Sequence, residues 1–323
     1  MTVVKKALKV LLPLLVGAAL LVWIYRDFDF SSFGESLSEM NWWWMAASLF
    51  FGAMSYIIRG IRWRILLQPM GVDASNALCV NSVNVAYMMN IVIPRIGEVS
   101  RCALLKRYDG IAFTSSLGTI VTERAIDMVC ILLISVFAFV LDRGVFLDFF
   151  ETTGVDAGSY TGVFHSSRFY LLAVCVVAAL LVLWWLLSRF AFWVKVKSML
   201  SNMYHGAMSI TKVRRPWLFI FYTACIWVCY YLHFYLTFYC FGFLSGLGGM
   251  AGLVLFVLGS FAVIVPTPNG AGPWHYVVIV GLMMYGISRP DAGLFALVVH
   301  TIQTFLVVAM GIVSLFLLQF RKA

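Results

Sequence analysis

Stretches of mostly apolar residues long enough to be membrane spans recur along the whole chain, from Ala7 to Phe320. Few folds can absorb them. A bilayer core about 30 Å thick takes ~20 apolar residues per helix, which these stretches supply again and again. Runs such as Tyr170 to Leu187, YLLAVCVVAALLVLWWLL, are apolar on every side. A transmembrane β-barrel would alternate apolar and polar residues at period two, so the runs read as helices. Only 11% of residues are charged, against roughly 25% in an ordinary soluble domain. No soluble domain is read at either end. The expectation is an all-α, polytopic helical membrane protein: one transmembrane domain over residues 1–323 in the inner (plasma) membrane.

The formal charge of +9 bears on orientation and not on nucleic acid, because the Lys and Arg residues lie beside the spans, where positive charge marks the cytoplasmic face. Lys5, Lys6 and Lys9 precede an apolar run, yet Ile24-Tyr25-Arg26-Asp27 offers no small-residue cleavage site. A retained first span is expected. The seven cysteines show no CxxC spacing, so neither a disulfide framework nor a zinc site is suggested, and no metal or other cofactor is expected. No GxxxxGK[ST] motif is present.

Charge parity orders the spans. Span one, about Ala7 to Tyr25, leaves basic residues behind and emerges into Asp27, Asp29, Glu35 and Glu39. Span two, about Trp42 to Ile58, returns to Arg59, Arg62 and Arg64, read as cytoplasmic. The next apolar stretch, Ala77 to Ile93, carries Asn81, Asn84 and Asn90 and has positive charge on both flanks. It reads as a re-entrant hairpin or broken helix. Span three, about Ile111 to Leu141, crosses to a long loop holding Asp142, Asp148, Glu151 and Asp156. Span four, about Phe169 to Phe190, returns to Lys195, Lys197, Lys212, Arg214 and Arg215. Span five, about Trp217 to Phe241, leads out to a Gly-rich turn, and the last span, about Ala292 to Phe320, ends at Arg321 and Lys322. Leu253 to Ile287 must begin and end outside, as two thin crossings or a second re-entrant pair broken at Pro266 to Pro273.

This gives about six full spans plus two broken or re-entrant hairpins, with both termini cytoplasmic. Residues 1–141 and 168–323 then read as the halves of an inverted repeat, a recurrent transporter design. The alternative is an ordinary bundle with two Pro-Gly kinks, since both residues are common in membrane helices.

Three concentrations of polar residues interrupt the apolar background. In Pro94-Arg95-Ile96-Gly97-Glu98-Val99-Ser100-Arg101, residues Arg95, Glu98 and Arg101 share one face if the segment is helical. Such a ladder suits an anionic group, because guanidinium contacts phosphate bidentately; the bland alternative is a solvated ion pair in a loop. In Glu123-Arg124-Ala125-Ile126-Asp127 the two carboxylates lie one turn apart, each costing roughly 2.5–3.5 kcal/mol at membrane depth if unpaired. Arg95 or Arg101 is the expected partner. A purely structural ion network is the competing reading. The third concentration is the break at Pro266 to Pro273, followed by Trp274 and His275. Its free amides and carbonyls need protein or a water-filled cavity. His300 and Gln303, one turn apart, are candidates to line that cavity, as is His233, whose neighbourhood of Tyr230, Tyr231, Phe234 and Tyr235 also reads as packing.

In that order, PRIGEVSR, ERAID and PTPNGAGPWH resemble the lysylphosphatidylglycerol synthase transmembrane-domain family, the flippase-like part of bacterial aminoacyl-phospholipid synthases and their stand-alone relatives. The resemblance covers nearly the whole chain. It implies a helical membrane domain that moves, or helps to move, a lipid between leaflets. It points to Pro94, Arg95, Gly97, Glu98 and Arg101, then to Glu123, Arg124 and Asp127, then to Pro268, Gly270 and Gly272. Many relatives look like PGGLG followed by a glutamate; here Asn269 and Ala271 replace two positions and His275 takes the glutamate's place. The aminoacyl-transferase domain of the long relatives does not follow the last span, so lipid synthesis is not expected.

The leading expectation is a lipid flippase or lipid transporter, with a membrane lipid as substrate and no enzymatic activity. Its candidate substrate-binding residues are Arg95, Glu98, Arg101, Glu123, Arg124, Asp127, Asn269, Gly270, Gly272, His275, His300 and Gln303. Movement would be downhill or coupled to an ion gradient. The alternatives are a membrane-embedded enzyme acting on a lipid-linked headgroup, with Glu123, Asp127 or His275 as acid or base, and a non-transporting scaffold partnered with an envelope-lipid biosynthesis enzyme.

Overall fold

The computed structural model describes residues 15–26, 33–71, 74–152, 201, 208 and 213–320. The first half of span one, span four, and Lys195, Lys197 and Lys212 lie outside them. Among the described residues the chain is helical without strands: Leu15–Tyr25 (α1), Phe33–Glu39 (α2), Trp42–Leu67 (α3), Asn76–Val92 (α4), Ile96–Asp109 (α5), Phe113–Leu141 (α6), Arg143–Thr152 (α7), Pro216–Tyr235 (α8), Gly249–Ala262 (α9), Pro273–Met284 (α10) and Arg289–Gln319 (α11).

Four segments are long and apolar enough to cross a membrane: α3, α6, the run Pro216–Cys240 that begins with α8, and α11. On α6 the side chains of Leu133, Val136, Phe137 and Val140 are exposed, as are Phe305, Ile312, Val313 and Phe316 on α11. Contiguous apolar faces of this size are unfavourable in water and favourable against acyl chains. The chain is a multi-pass membrane protein.

The sequence reading ends span two at Ile58, but α3 continues to Leu67. Asn41 starts it, its side-chain oxygen accepting from the Trp43 amide at 3.1 Å. It stops only at a 3-10 turn containing Pro69, closed by Gly71 in the left-handed region. The longer helix carries Arg59 and Arg62 into the interior, where both are buried, and leaves Arg64 half-buried. Arg59 and Arg62 are therefore not part of a solvated connection.

Two helical hairpins pack among these helices. Asn76–Val92 and Ile96–Asp109 fold back on one another, burying Leu78 and Cys79 with Cys102 and Leu105. Between them Pro94 lacks a backbone donor and Arg95 takes φ 64°, which reverses the chain. Gly97 follows because a Cβ there would collide with the Ala86 carbonyl, and its amide donates to Asn90 Oδ1 at 2.8 Å. In the second hairpin, Gly259 lies against Trp274 and Gly281 against Leu255, so α9 and α10 run antiparallel. Their connection passes through Pro266, Pro268, Asn269 at φ 50° and Gly272 at φ 93°. Arg95 and Asn269 are the two non-glycine residues with positive φ among the described residues.

The sequence reading also takes the chain after Leu141 as a loop. It continues instead as α7, whose Phe146 and Phe149 pack with Ala138, Val254 and Val257. The aromatic positions make this helix amphipathic, a signal that the acidic residues around it mask.

Candidate functional site

The site begins with one turn of α6. Glu123 and Asp127 both turn inward, and three arginines from two other helices close on them. Arg59 Nη1 donates to Glu123 Oε1 at 2.9 Å and to Asp127 Oδ2 at 2.7 Å. Arg62 Nη2 donates to Glu123 Oε1 at 3.2 Å and to Asp127 Oδ1 at 2.9 Å. Arg101 of α5 donates to Glu123 Oε2, while its guanidinium carbon lies 3.9 Å from the centre of the Trp63 ring. Neutral groups complete the shell. Arg59 Nε donates to Tyr230 Oη at 3.0 Å, Arg62 Nη1 to Thr223 Oγ1 at 3.1 Å, and the Tyr87 and Tyr230 hydroxyls share a 3.0 Å hydrogen bond.

Each of these charges is costly in a low-dielectric interior, and only mutual pairing with full hydrogen bonding offsets that cost. Three guanidinium groups face two carboxylates, which leaves one positive charge. The Nε–H of Arg101 has no acceptor among the described residues. Beside this core, Arg124 Nε lies 3.5 Å from Glu98 Oε1, a pair with side chains 45% and 35% exposed.

The two hairpin breaks meet at this cluster. A cavity of about 590 Å³ is lined by Arg95, Glu98 and Arg101 from the first hairpin, by Arg124 and Asp127 from α6, and by Asn269 and Gly270 from the second break. Its charged lining again carries an excess of positive charge, three guanidiniums to two carboxylates. Met128, Phe261, Val263, Ile264 and Val265 also line it, and all five are exposed. Charged groups and exposed apolar side chains in one lining make the cavity amphipathic. Its size lies within the range of small-molecule sites, roughly 300–1,000 Å³.

Several sequence expectations change here. Arg95, Glu98 and Arg101 do not form one ladder: Arg95 precedes the first turn of α5 in a left-handed conformation, Glu98 pairs with Arg124, and Arg101 turns inward to Glu123. Arg101 is the partner of the carboxylates and Arg95 is not. Glu123 lies behind the cavity wall, fully buried, because its oxygens are taken by Arg59, Arg62 and Arg101. Gly272, His275, His300 and Gln303 do not line the cavity either.

Gly272, His275 and His300 brace the second break from behind, and Gln303 ties α11 to α8. His300 Nε2 donates to the Asn269 carbonyl at 3.0 Å, and Asn269 Nδ2 donates to Thr304 Oγ1 at 2.8 Å. The His275 and His300 rings are 4.5 Å apart, and the Gly272 amide points at His275 Nδ1 at 3.4 Å. Gln303 Nε2 reaches the His233 carbonyl at 3.0 Å, and His233 Nδ1 donates to the Ser48 carbonyl at 2.7 Å. Gly272 approaches α1 so closely that a Cβ would lie 2.9 Å from Leu20 Cβ.

Arg59 and Arg62 are the residues that sequence reasoning missed as site members. The signal was present: they are three residues apart on one face, and Ile65-Leu66-Leu67 continue the apolar pattern beyond them. Among the described residues no cluster of His, Cys, Asp and Glu is arranged to hold a metal ion. No curated protein and no solved structure matches the chain. The model of the lysylphosphatidylglycerol synthase TM region matches residues 10–311, nearly the whole length, and the chain belongs to that family.

Proposed function

We propose that this protein moves a membrane lipid with a phosphate-bearing headgroup between leaflets, without chemical change to the lipid. One observation carries the reading: both backbone breaks and the Glu98, Arg101, Arg124 and Asp127 charges line a single cavity whose rim is exposed and apolar. A headgroup would sit against the guanidiniums while acyl or isoprenoid chains stay outside, along Met128, Phe261, Ile264 and Val265. The excess of positive charge on the cavity wall favours an anion there. Family membership supports a lipid-related role.

In this reading the two hairpins are re-entrant, entering from opposite faces, and belong to inverted halves that bracket residues 1–141 and 168–323. Segment lengths agree: the 14 residues of α9 and 12 of α10 are shorter than a ~20-residue span. The basic ends of α3 and α5, and Arg321 and Lys322 beyond α11 in the sequence, would face the cytoplasm. Arg95, Glu98, Arg101, Arg124, Asp127, Asn269 and Gly270 would contact the lipid. Glu123, Gly272, His275, His300 and Gln303 would hold those groups in place. Transport is tested by leaflet exchange of fluorescent phospholipids in proteoliposomes. Wild type should exceed Glu98→Gln/Arg124→Gln, a pair open enough to change without unfolding the core; equal rates would sink the proposal.

A further inference from the structure

A second cavity, of about 560 Å³, opens where α3 ends and α8 begins. It shares no lining residue with the first. Arg64 enters it from α3 and Arg214 and Arg215 from the residues just ahead of α8, with Asn76 and Tyr222 as neutral polar groups. No Asp or Glu lines it among the described residues. Arg64 Nη1 donates to Asn76 Oδ1 at 3.2 Å, which fixes that guanidinium against the start of α4. Arg214 and Arg215 are exposed, and neither has a carboxylate partner among the described residues. The neighbouring like charges of Arg214 and Arg215 repel one another until an anion joins them.

The first turns of α8 supply the other half of the site. Trp217, Ile220 and Phe221 stand at i, i+3 and i+4, form one apolar strip, and are 80%, 55% and 59% exposed. Leu218 and Tyr222, on the adjoining face, line the cavity itself. A forked cationic pocket beside an outward apolar strip at the end of a span fits a lipid whose headgroup carries net negative charge. Trp217 is the second residue of α8, and indole rings at the ends of spans favour the boundary between acyl chains and headgroups.

We propose that this cavity binds the phosphate of an anionic glycerophospholipid, with the acyl chains laid along Trp217, Ile220 and Phe221. The site is separate from the transport cavity and does not depend on it. To test it, the full chain carrying a photoreactive benzoylphenylalanine at position 217 is reconstituted with radiolabelled phosphatidylglycerol or phosphatidylcholine and irradiated. Phosphatidylglycerol should cross-link in preference to phosphatidylcholine, and Arg214→Gln/Arg215→Gln should lower its yield roughly ten-fold. The charge-retaining Arg214→Lys/Arg215→Lys should keep most of it, and Glu98→Gln/Arg124→Gln should leave it unchanged even where leaflet exchange is lost. Equal labelling by both lipids, or full labelling of the Arg214→Gln/Arg215→Gln protein, would overturn the proposal. So would displacement of the labelled lipid by millimolar inorganic phosphate, which would assign the cavity to a soluble anion.

Discussion

Arg59 of α3 donates to Asp127 of α6 at 2.7 Å, although the two residues are 68 positions apart. The same guanidinium also reaches Glu123, so one side chain ties both carboxylates of α6 to α3. Removing Asp127 strands buried positive charge, whereas removing Arg59 takes a donor from each carboxylate and leaves Arg62 and Arg101 to balance them.

Asp127→Asn should destabilise the detergent-solubilised protein by about 3–5 kcal/mol, the usual cost of leaving buried charge uncompensated, and Arg59→Gln by less, because Arg62 and Arg101 still balance the carboxylates. The double variant should cost clearly less than the sum, because it strands less charge. Thermal unfolding of the four proteins checks this, and strict additivity would contradict the pairing.

Gly97→Ala should cost ~1–3 kcal/mol, since the added methyl collides with the Ala86 carbonyl and drives the first hairpin apart. Gly246→Ala is the control, because nothing lies within 4 Å of a Cβ there. The comparison is read as the difference in melting temperature between the two variants.

Arg95 separates backbone strain from charge. Arg95→Gly should hold or raise stability, by up to about 1–2 kcal/mol, because glycine adopts φ 64° without strain. The same change should slow leaflet exchange, since it removes a guanidinium from the cavity wall. A fall in melting temperature would show that the Arg95 side chain contributes more to folding than its conformation costs.

His300 supports the second break through a single donor. His300→Leu should lose about 1–3 kcal/mol by stranding the Asn269 carbonyl, and His300→Gln, which keeps an N–H, should lose less. Limited proteolysis at the 263–272 connection, compared across the two variants, would report the loosening directly.

The positions of α6, α8 and α11 were legible in the sequence, because a long apolar run has one stable form in a bilayer. Both breaks were legible too, as Pro and Gly beside polar residues, and Glu123 to Asp127 announced itself by its cost in an apolar segment. Arg101 was nominated as a partner for the carboxylates alongside Arg95, and only the fold distinguishes them. Residue 95 lies in the turn and residue 101 one and a half turns into α5, pointing the other way.

Arg59 and Arg62 show where reading along the chain fails. Positive charge at the end of a span is equally consistent with a cytoplasmic flank and with a buried ion cluster, and local sequence does not say which. The choice depends on two carboxylates more than 60 residues away. The sequence by itself determined that this chain lives in a bilayer as helices, where those helices break, and which polar groups must find partners, because solvation energies act residue by residue. Tertiary structure alone decided that the two breaks face one cavity, which arginines neutralise Glu123 and Asp127, and that His275, His300 and Gln303 stand behind the cavity. Those are matters of which surfaces meet, and packing settles them.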